Sequence, residues 1–127
     1  MTDDMSDSNN FREHAYAIAQ LLDEQGGENT CALDLAPNCG FTDYFVITTA
    51  DSSGRLRGLA RRLRDYLSEF GLEPSQRHKR LEESGWTLFD CGPIVIHLMS
   101  HEMRSFYDLE RLWFEARVLY QSSSPSS

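Results

Sequence analysis

The residues most able to do chemistry in this 127-residue chain are one cysteine and two histidines. His97 lies in a predicted strand, Cys91 comes six residues before it, and His101 begins a predicted helix. A structural zinc site needs four convergent ligands, and these side chains belong to elements that give no reason for them to converge. We therefore predict no metal site. His97 is expected to be half-buried beside Trp86, and His101 to lie in solvent or at a helix cap.

Nucleophilic and metal-assisted catalysis have no better support. Cys91 lies in a predicted tight turn next to Asp90, whereas an activated thiolate needs a positive neighbour or a helix N-terminus. Nucleotidyl transfer on a mixed sheet normally uses two acids one residue apart on a strand to hold the metal. No predicted strand has that pair: Asp34 stands alone, and Asp108 and Glu110 fall on a helix, where this spacing separates them. We predict no catalytic residue and no cofactor.

Two features could contact phosphate. The segment Ser52-Ser53-Gly54 follows a strand and opens a helix, where backbone N–H groups can hold an anion. No P-loop lysine accompanies it, so an ordinary helix cap is the simpler interpretation. The helix that follows carries arginines on its solvent side, which form either a solvated face or a surface that faces RNA. These residues are Arg55, Arg57, Arg61, Arg62 and Arg64.

The overall charge argues against a general attraction to nucleic acid or to an anionic membrane. The net charge is −8, from 20 acidic and 12 basic residues, which repels polyanions as a whole. Three cysteines without a Cys-x-x-Cys spacing favour a reducing compartment. The acidic N-terminus does not resemble a signal peptide, and no apolar run is long enough to span a bilayer. We expect a cytoplasmic protein.

Eight predicted elements position these residues. Their order, α-β-β-α-β-β-β-α, indicates an α/β (α+β mixed) fold with a mixed five-stranded sheet and flanking helices. Residues 1–10 are predicted to be a disordered acidic N-terminus and 117–127 a mostly disordered Ser-rich tail, leaving one domain at 11–116. The helices are predicted near 11–25, 53–70 and 100–115, and the strands near 31–36, 44–49, 77–81, 86–90 and 93–99.

The last two strands are predicted to form a hairpin around Cys91-Gly92, in which Trp86 pairs with His97 and Leu88 with Val95. Directly paired side chains share a face. One face then carries Trp86, Leu88, Asp90, Val95 and His97, and the other Thr87, Phe89, Ile94, Ile96 and Leu98. The second face is expected to meet the arginine-bearing helix. The first is either a recognition surface or is covered by another helix of the domain.

Three motifs in this order resemble the ribosomal silencing factor family, also called the Iojap-related family. They are Phe41-Thr42-Asp43-Tyr44-Phe45-Val46-Ile47 with the following Ser52-Ser53, the hairpin Gly85-Trp86 to Asp90-x-Gly92 with Val95 and His97, and Phe106-Tyr107-x-Leu109-Glu110-x-Leu112-Trp113. The resemblance covers about residues 11–114. The sequence departs from the family pattern in the hairpin turn, at Cys91 and Pro93.

The resemblance implies a nucleotidyltransferase-like fold that lacks the catalytic acids. It also implies binding to the large ribosomal subunit through its ribosomal protein fourteen, which blocks association with the small subunit and represses translation in starvation or stationary phase. Organellar relatives imply large-subunit assembly as an alternative, and several members are homodimers when free. An active nucleotidyltransferase is the rival from another class. The residues expected to bind the ribosomal protein are Tyr44, Trp86, Leu88, Asp90, His97, Tyr107 and Trp113, with the five arginines facing ribosomal RNA.

Overall fold

The computed structural model describes residues 3–35, 42–72, 74, 80–81, 85–107 and 116–122, with the backbone alone described at 3–10, 80–81 and 106–107. The helices are α1 (Asp3–Glu24), α2 (Ser53–Glu69) and α3 (His101–Tyr107). The strands are β1 (Glu28–Asp34), β2 (Tyr44–Ala50), β3 (Arg80–Leu81), β4 (Trp86–Asp90), β5 (Ile94–Ser100) and β6 (Arg117–Gln121).

The strands form one mixed six-stranded sheet in the order β3-β4-β5-β2-β1-β6. Strands β2 and β5 are parallel, whereas the pairs β1–β2, β1–β6, β3–β4 and β4–β5 are antiparallel. A parallel pair needs a crossover connection, and α2 lies in that connection. The predicted mixed fold with flanking helices is therefore confirmed, and β6 extends the five predicted strands at one edge. The nucleotidyltransferase-like description stays a prediction.

Helix α1 forms because its apolar residues recur at helical spacing. Ala15, Ile18, Ala19 and Leu22 are all 0% exposed, as the sequence pattern predicts. The helix ends where Gly27 N–H donates to Leu22 O at 2.8 Å. Its first residue is Asp3, within the stretch that we expected to be disordered; acidic residues in the first turn interact favourably with the helix dipole.

Helix α2 packs its leucines on the same side of the sheet as α1. The side-chain oxygen of Ser52 accepts the Arg55 backbone N–H at 3.0 Å, so the predicted helix cap is confirmed. The buried stripe on α2 consists of Leu56, Leu59, Ala60, Leu63 and Leu67. It meets the sheet face predicted for it, because Phe89, Ile94, Ile96 and Leu98 belong to the same cluster.

The sheet is covered on both faces. Tyr44 belongs to the cluster under α1 and α2, and Phe45 belongs to the cluster on the opposite face. Neighbouring residues of a strand point to opposite faces, so a sheet with one core would bury only one of these two aromatic residues. Each is 8% exposed, and both therefore lie in a core. The physical reason is that Met103 of α3 and Ala116 pack over the second face, which gives this sheet two cores.

The hairpin turn lies one residue later than predicted. Cys91 N–H donates to Ile94 O at 2.9 Å, so Gly92 and Pro93 occupy the turn. Gly92 has a φ of +83°, which glycine adopts at little cost. A positive φ at the first turn residue, followed by a proline whose ring holds φ negative, matches the hairpin turn that takes glycine first. This favours a turn at Gly92-Pro93 over one at Cys91-Gly92.

The later turn changes the pairing of the two strands but not their faces. Leu88 pairs with His97, and Trp86 with Met99, so the predicted pairing of Trp86 with His97 and of Leu88 with Val95 is wrong. The shift on the opposing strand is an even number of residues, and side chains alternate with a period of two. Trp86, Leu88 and His97 therefore still share one face, as expected.

Strand β6 lies inside the segment that we expected to be a mostly disordered tail. It pairs with β1 through Ala32 opposite Tyr120 and Leu33 opposite Val118, and Ser122 N–H donates to Thr30 O at 2.8 Å. Val118 and Tyr120 favour strands, but five residues before a serine run give little local signal. The strand depends on β1, which is distant in the sequence.

Candidate docking face

The partly exposed part of the second sheet face centres on the outward side chains of β4. Trp86, Leu88 and Asp90 are each partly buried, whereas the alternating Thr87 and Phe89 are fully buried. This alternation is what a strand with one covered face and one partly open face produces. We define the docking face as Trp86, Leu88 and Asp90, together with His97, which lies beneath them.

His97 holds the Trp86 ring from below. The indole N–H of Trp86 donates to His97 Nδ1 at 3.3 Å, and the two ring centroids lie 5.9 Å apart. Phe45 contacts the imidazole edge-on at a centroid distance of 4.8 Å. His97 is 7% exposed, more deeply buried than the half-buried position we predicted. It is therefore placed to orient the indole, whereas Trp86 itself reaches the surface.

His97 is neutral at physiological pH. Burial, and the positive charge of Arg104, lower the pKa of His97 to about 4. Since Nδ1 accepts the indole N–H, the ring proton lies on Nε2, which is buried and has no hydrogen-bond partner within the described part of the chain. Both nitrogens are thus shielded from water, which makes protonation of the ring costly.

We expect His97 to make the protein less stable at low pH. In the unfolded chain its pKa is about 6.5, so between pH 6.5 and 4 the unfolded state binds a proton that the folded state does not. The free energy of unfolding falls as the pH is lowered through this window, by about 3 kcal/mol from this group. Urea unfolding at pH 4 to 7 should show a correspondingly smaller loss for His97→Asn. Equal losses in both proteins would contradict this assignment.

Arg104 is a buried support that the sequence pattern did not reveal. It is 5% exposed, and its Nη1 donates to Asn29 O at 2.6 Å and to Thr49 Oγ1 at 3.0 Å. One turn earlier on α3, His101 Nε2 lies 2.8 Å from Glu28 Oε1, so His101 stays near solvent as expected but contacts a carboxylate. These contacts fix α3 to the beginning of β1. Little in the sequence indicates that Arg104 is buried, because a lone arginine on a short helix usually faces solvent.

The hairpin turn is held by residues that belong to two of the sequence motifs. Asp90 Oδ1 accepts the Gly92 N–H at 3.0 Å, and Thr42 Oγ1 donates to Gly92 O at 3.0 Å. Pro93 O accepts the Asp43 N–H at 3.1 Å. The motif before β2 and the motif around the hairpin therefore meet in space, and Asp90 has a structural role in addition to its place on the docking face.

The predicted partner-binding residues do not all reach one surface. Trp86, Leu88, Asp90 and His97 are brought together on the docking face. Tyr44 lies in the cluster on the opposite side of the sheet, where burial, followed by Asp34 and Asp43, raises its pKa. The Tyr107 side chain and Trp113 lie outside the described residues. The five arginines predicted to face RNA are all exposed on α2. They are Arg55, Arg57, Arg61, Arg62 and Arg64.

Cys91 lacks the environment that activates a thiol. The Cys91 thiol donates to Leu72 O at 3.6 Å, and burial, together with the neighbouring Asp90, raises the pKa of Cys91 to about 12. A thiol with that pKa is protonated at neutral pH and is a poor nucleophile. Among the described residues, no three His, Cys, Asp or Glu side chains are grouped to bind a metal ion. No described helix combines the length and apolar character needed to cross a membrane.

The fold and this face define a class: a mixed-sheet α/β domain with helices on both faces and a partly open aromatic patch on one edge hairpin. A family model described as "Ribosomal silencing factor during starvation" matches residues 8–126. The match covers more than half of the chain, so the chain belongs to the ribosomal silencing factor family, as its motifs indicated.

Individual relatives agree with this assignment. The ribosomal silencing factor RsfS of Treponema pallidum is 39% identical over 105 residues, which cover 82% of this chain and 93% of that protein. The mouse protein named mitochondrial assembly of ribosomal large subunit protein 1 is 30% identical over 98 residues, 76% of this chain and 43% of its own length. A crystal structure from Bacillus halodurans superposes with a TM-score of 0.66 at 26% identity, covering 81% of this chain and 92% of that one.

Proposed function

We propose that this protein is a ribosomal silencing factor. It binds the large ribosomal subunit in the cytoplasm through ribosomal protein fourteen, blocks association with the small subunit, and so represses translation in starvation or stationary phase. The observation that carries the proposal is the family match over residues 8–126. Its action needs no catalysis, because a bound domain excludes the small subunit by occupying part of the surface that the two subunits share.

The docking face is our candidate for the contact with the ribosomal protein. Interfaces of about 1,600 Å² total area bind tightly when a few aromatic or arginine anchors occupy their centre. Trp86 supplies such an anchor, since its indole N–H donates to His97 and its side chain is only partly buried. Leu88 and Asp90 lie beside it. We propose that two residues of the third motif also bind the ribosomal protein, namely Tyr107 and Trp113.

Charge supports the same pairing of partners. The protein is acidic, with a net charge of −8, and a basic ribosomal protein is electrostatically complementary to it. Complementary potentials raise the association rate and suppress contacts with wrong partners. The five α2 arginines form the contrasting basic region, which we propose faces ribosomal RNA. We also propose that the free chain forms a homodimer. Light scattering of the purified protein tests this.

Sucrose-gradient sedimentation with purified subunits tests this function. We expect the protein to travel with large subunits but not with small subunits, and to reduce the fraction of joined ribosomes when it is added before the two are mixed. Adding it after joining should have a weaker effect, since the shared surface is then covered. A protein that ignores large subunits, or binds them without reducing joining, would contradict the proposal.

Large-subunit assembly is the second candidate, favoured by the name of the mouse relative. An assembly factor would accumulate on precursor particles, whereas a silencing factor binds mature large subunits, so gradients from growing and starved cells separate the two. An active nucleotidyltransferase is a third candidate from a different class. Tight, magnesium-dependent nucleotide binding in isothermal titration would favour it over both ribosomal roles.

A further inference from the structure

The five arginines on the outer side of α2 lie on two flanks of the helix. Arg57, Arg61 and Arg64 follow one another at steps of about one helical turn, along the flank where the Arg64 guanidinium lies 5.6 Å from the Phe89 ring centroid. Arg55 and Arg62 lie two turns apart on the opposite flank. There Arg55 Nη1 donates to the backbone oxygen of Gln25 at the end of α1, at 3.1 Å. The five arginines therefore form two rows.

Between the two rows lies a strip of bare helix backbone. Gly54 and Gly58, one turn apart, are exposed. A Cβ built on Gly58 meets no atom within 4 Å, and one on Gly54 meets only Ser52 Oγ, at 3.9 Å. Asp65 and Glu69 lie two and three turns beyond Gly58 on the same side of the helix and are exposed, so acidic side chains bound the strip toward the C-terminus. A molecule lying on the strip can approach the helix backbone closely, with guanidinium groups on either side.

Three of the five arginines on this surface have no ion-pair partner among the described residues. The segment 52–64 holds five arginines and no acid. Arg55 lies 3.9 Å from Asp51 and Arg64 stacks on Phe89, but Arg57, Arg61 and Arg62 make no ion pair with another described residue. In a chain of net charge −8, such a positive surface is selective: it attracts an anion locally while the rest of the protein repels it.

We infer that the α2 strip, consisting of Gly54 and Gly58 with Arg57, Arg61 and Arg62, binds the phosphate backbone of an RNA strand. The guanidinium group is a planar, two-pronged donor that suits phosphate oxygens, and two rows of them flank one line of phosphates. This inference rests on the proposed function, which identifies the RNA as ribosomal RNA. The recognition is independent of base sequence, because phosphate contacts position a protein without specifying bases.

RNA fits this surface better than an acidic protein does. Stable protein–protein interfaces centre on buried aromatic or aliphatic anchors, and the exposed large hydrophobic residues of the described chain are elsewhere: Tyr16, Phe70 and Val118. The strip itself offers only charge and backbone. A surface of that kind binds through phosphate neutralisation and needs no apolar centre.

The inference is tested by fluorescence anisotropy with a labelled RNA duplex of unrelated sequence, titrated with the full chain at several salt concentrations. We expect wild-type binding at low salt. Arg57→Gln/Arg61→Gln should weaken it about ten-fold or more and lower the slope of log K against log salt by about 1.8, the value for two lost phosphate contacts. Arg12→Gln/Arg117→Gln removes the same charge from exposed positions elsewhere, and should change affinity far less.

The Gly58→Gln variant tests the strip without changing the net charge and without weakening the helix. Glutamine is a better helix former than glycine, so thermal stability should stay equal or rise, while RNA affinity falls because the side chain covers the strip. A wild-type chain that ignores the duplex at low salt, equal effects of the two double variants, or displacement by poly-glutamate but not by unlabelled RNA would each overturn the inference. Loss of large-subunit sedimentation with duplex binding intact contradicts the proposed function alone.

Discussion

Trp86→Ala is expected to weaken binding to the large ribosomal subunit by about 30-fold or more. Central aromatic anchors of protein interfaces commonly cost 2 kcal/mol or more on truncation, and this energy corresponds to roughly that factor in the dissociation constant. Trp86 is the largest side chain on the docking face, and its ring is held by the bond to His97. Removing it deletes the anchor and also leaves a buried His97 nitrogen without its donor.

The measurement is quantitative sedimentation or interferometry with immobilised large subunits, at fixed salt. Tyr16→Ala is the matched control, because Tyr16 is an exposed aromatic residue, 46% accessible, on α1 at the other side of the sheet. It should bind like the wild type. Trp86→Phe, which keeps an aromatic ring but loses the N–H, should lie between the wild type and Trp86→Ala.

A second substitution tests whether weaker binding comes from the lost contact or from a change in folding. Leu88 is only partly buried on the same face, so Leu88→Glu places a charge on the docking surface without emptying a core. It should also weaken binding at least ten-fold, while the circular dichroism spectrum and thermal midpoint stay near those of the wild type. Full-strength binding by a folded Trp86→Ala or Leu88→Glu protein would remove this face from the proposed interface.

Phe89→Ala is expected to lower the free energy of unfolding by about 3–5 kcal/mol, the range for a large aromatic side chain removed from a core. Phe89 is 0% exposed and packs in the cluster between the sheet and α1 and α2. Its neighbours in this cluster lie on β5 and α2, and the structure around a cavity generally relaxes only in part. Such a loss is a large part of the stability of a domain of this size.

Urea unfolding followed by circular dichroism measures this effect, with Phe70→Ala as the control. Phe70 is 49% exposed at the end of α2, so its truncation should cost less than about 1 kcal/mol. The fraction of Phe89→Ala that remains folded at low temperature should bind large subunits normally, because Phe89 and Trp86 point to opposite faces. A loss below about 1 kcal/mol for Phe89→Ala would contradict the assigned core.

The elements that the sequence predicts well are those with a strong local period. The buried stripe of α2 and its Ser52 cap follow directly from leucine spacing and from a hydroxyl at the helix start, as does the alternation of β4 around Phe89. The family was also identifiable, because its three motifs survive as short contiguous runs. Each of these signals lies within a few residues, where propensity and periodicity act.

The positions that were mispredicted depend on contacts between distant segments. Phe45 is buried as well as its neighbour Tyr44 because α3 and Ala116 cover a second core, which no property of β2 alone reveals. Strand β6 exists because β1 offers it an edge. The hairpin register follows from a turn at Gly92-Pro93, closed by the Cys91 N–H to Ile94 O bond, and one residue of difference in the turn moves every pairing.

The chain by itself thus determined its family, its main helices and strands, and the division of the hairpin into an apolar and a mixed face. The tertiary structure decided which members of the mixed face reach the surface: Trp86 and Leu88 partly do, whereas His97 lies beneath them. It also decided that Arg64 lies against the Phe89 ring and that Arg55 bonds to the backbone of Gln25. The physical reason is that periodicity sets the direction of a side chain, but its exposure depends on what the rest of the chain packs against it.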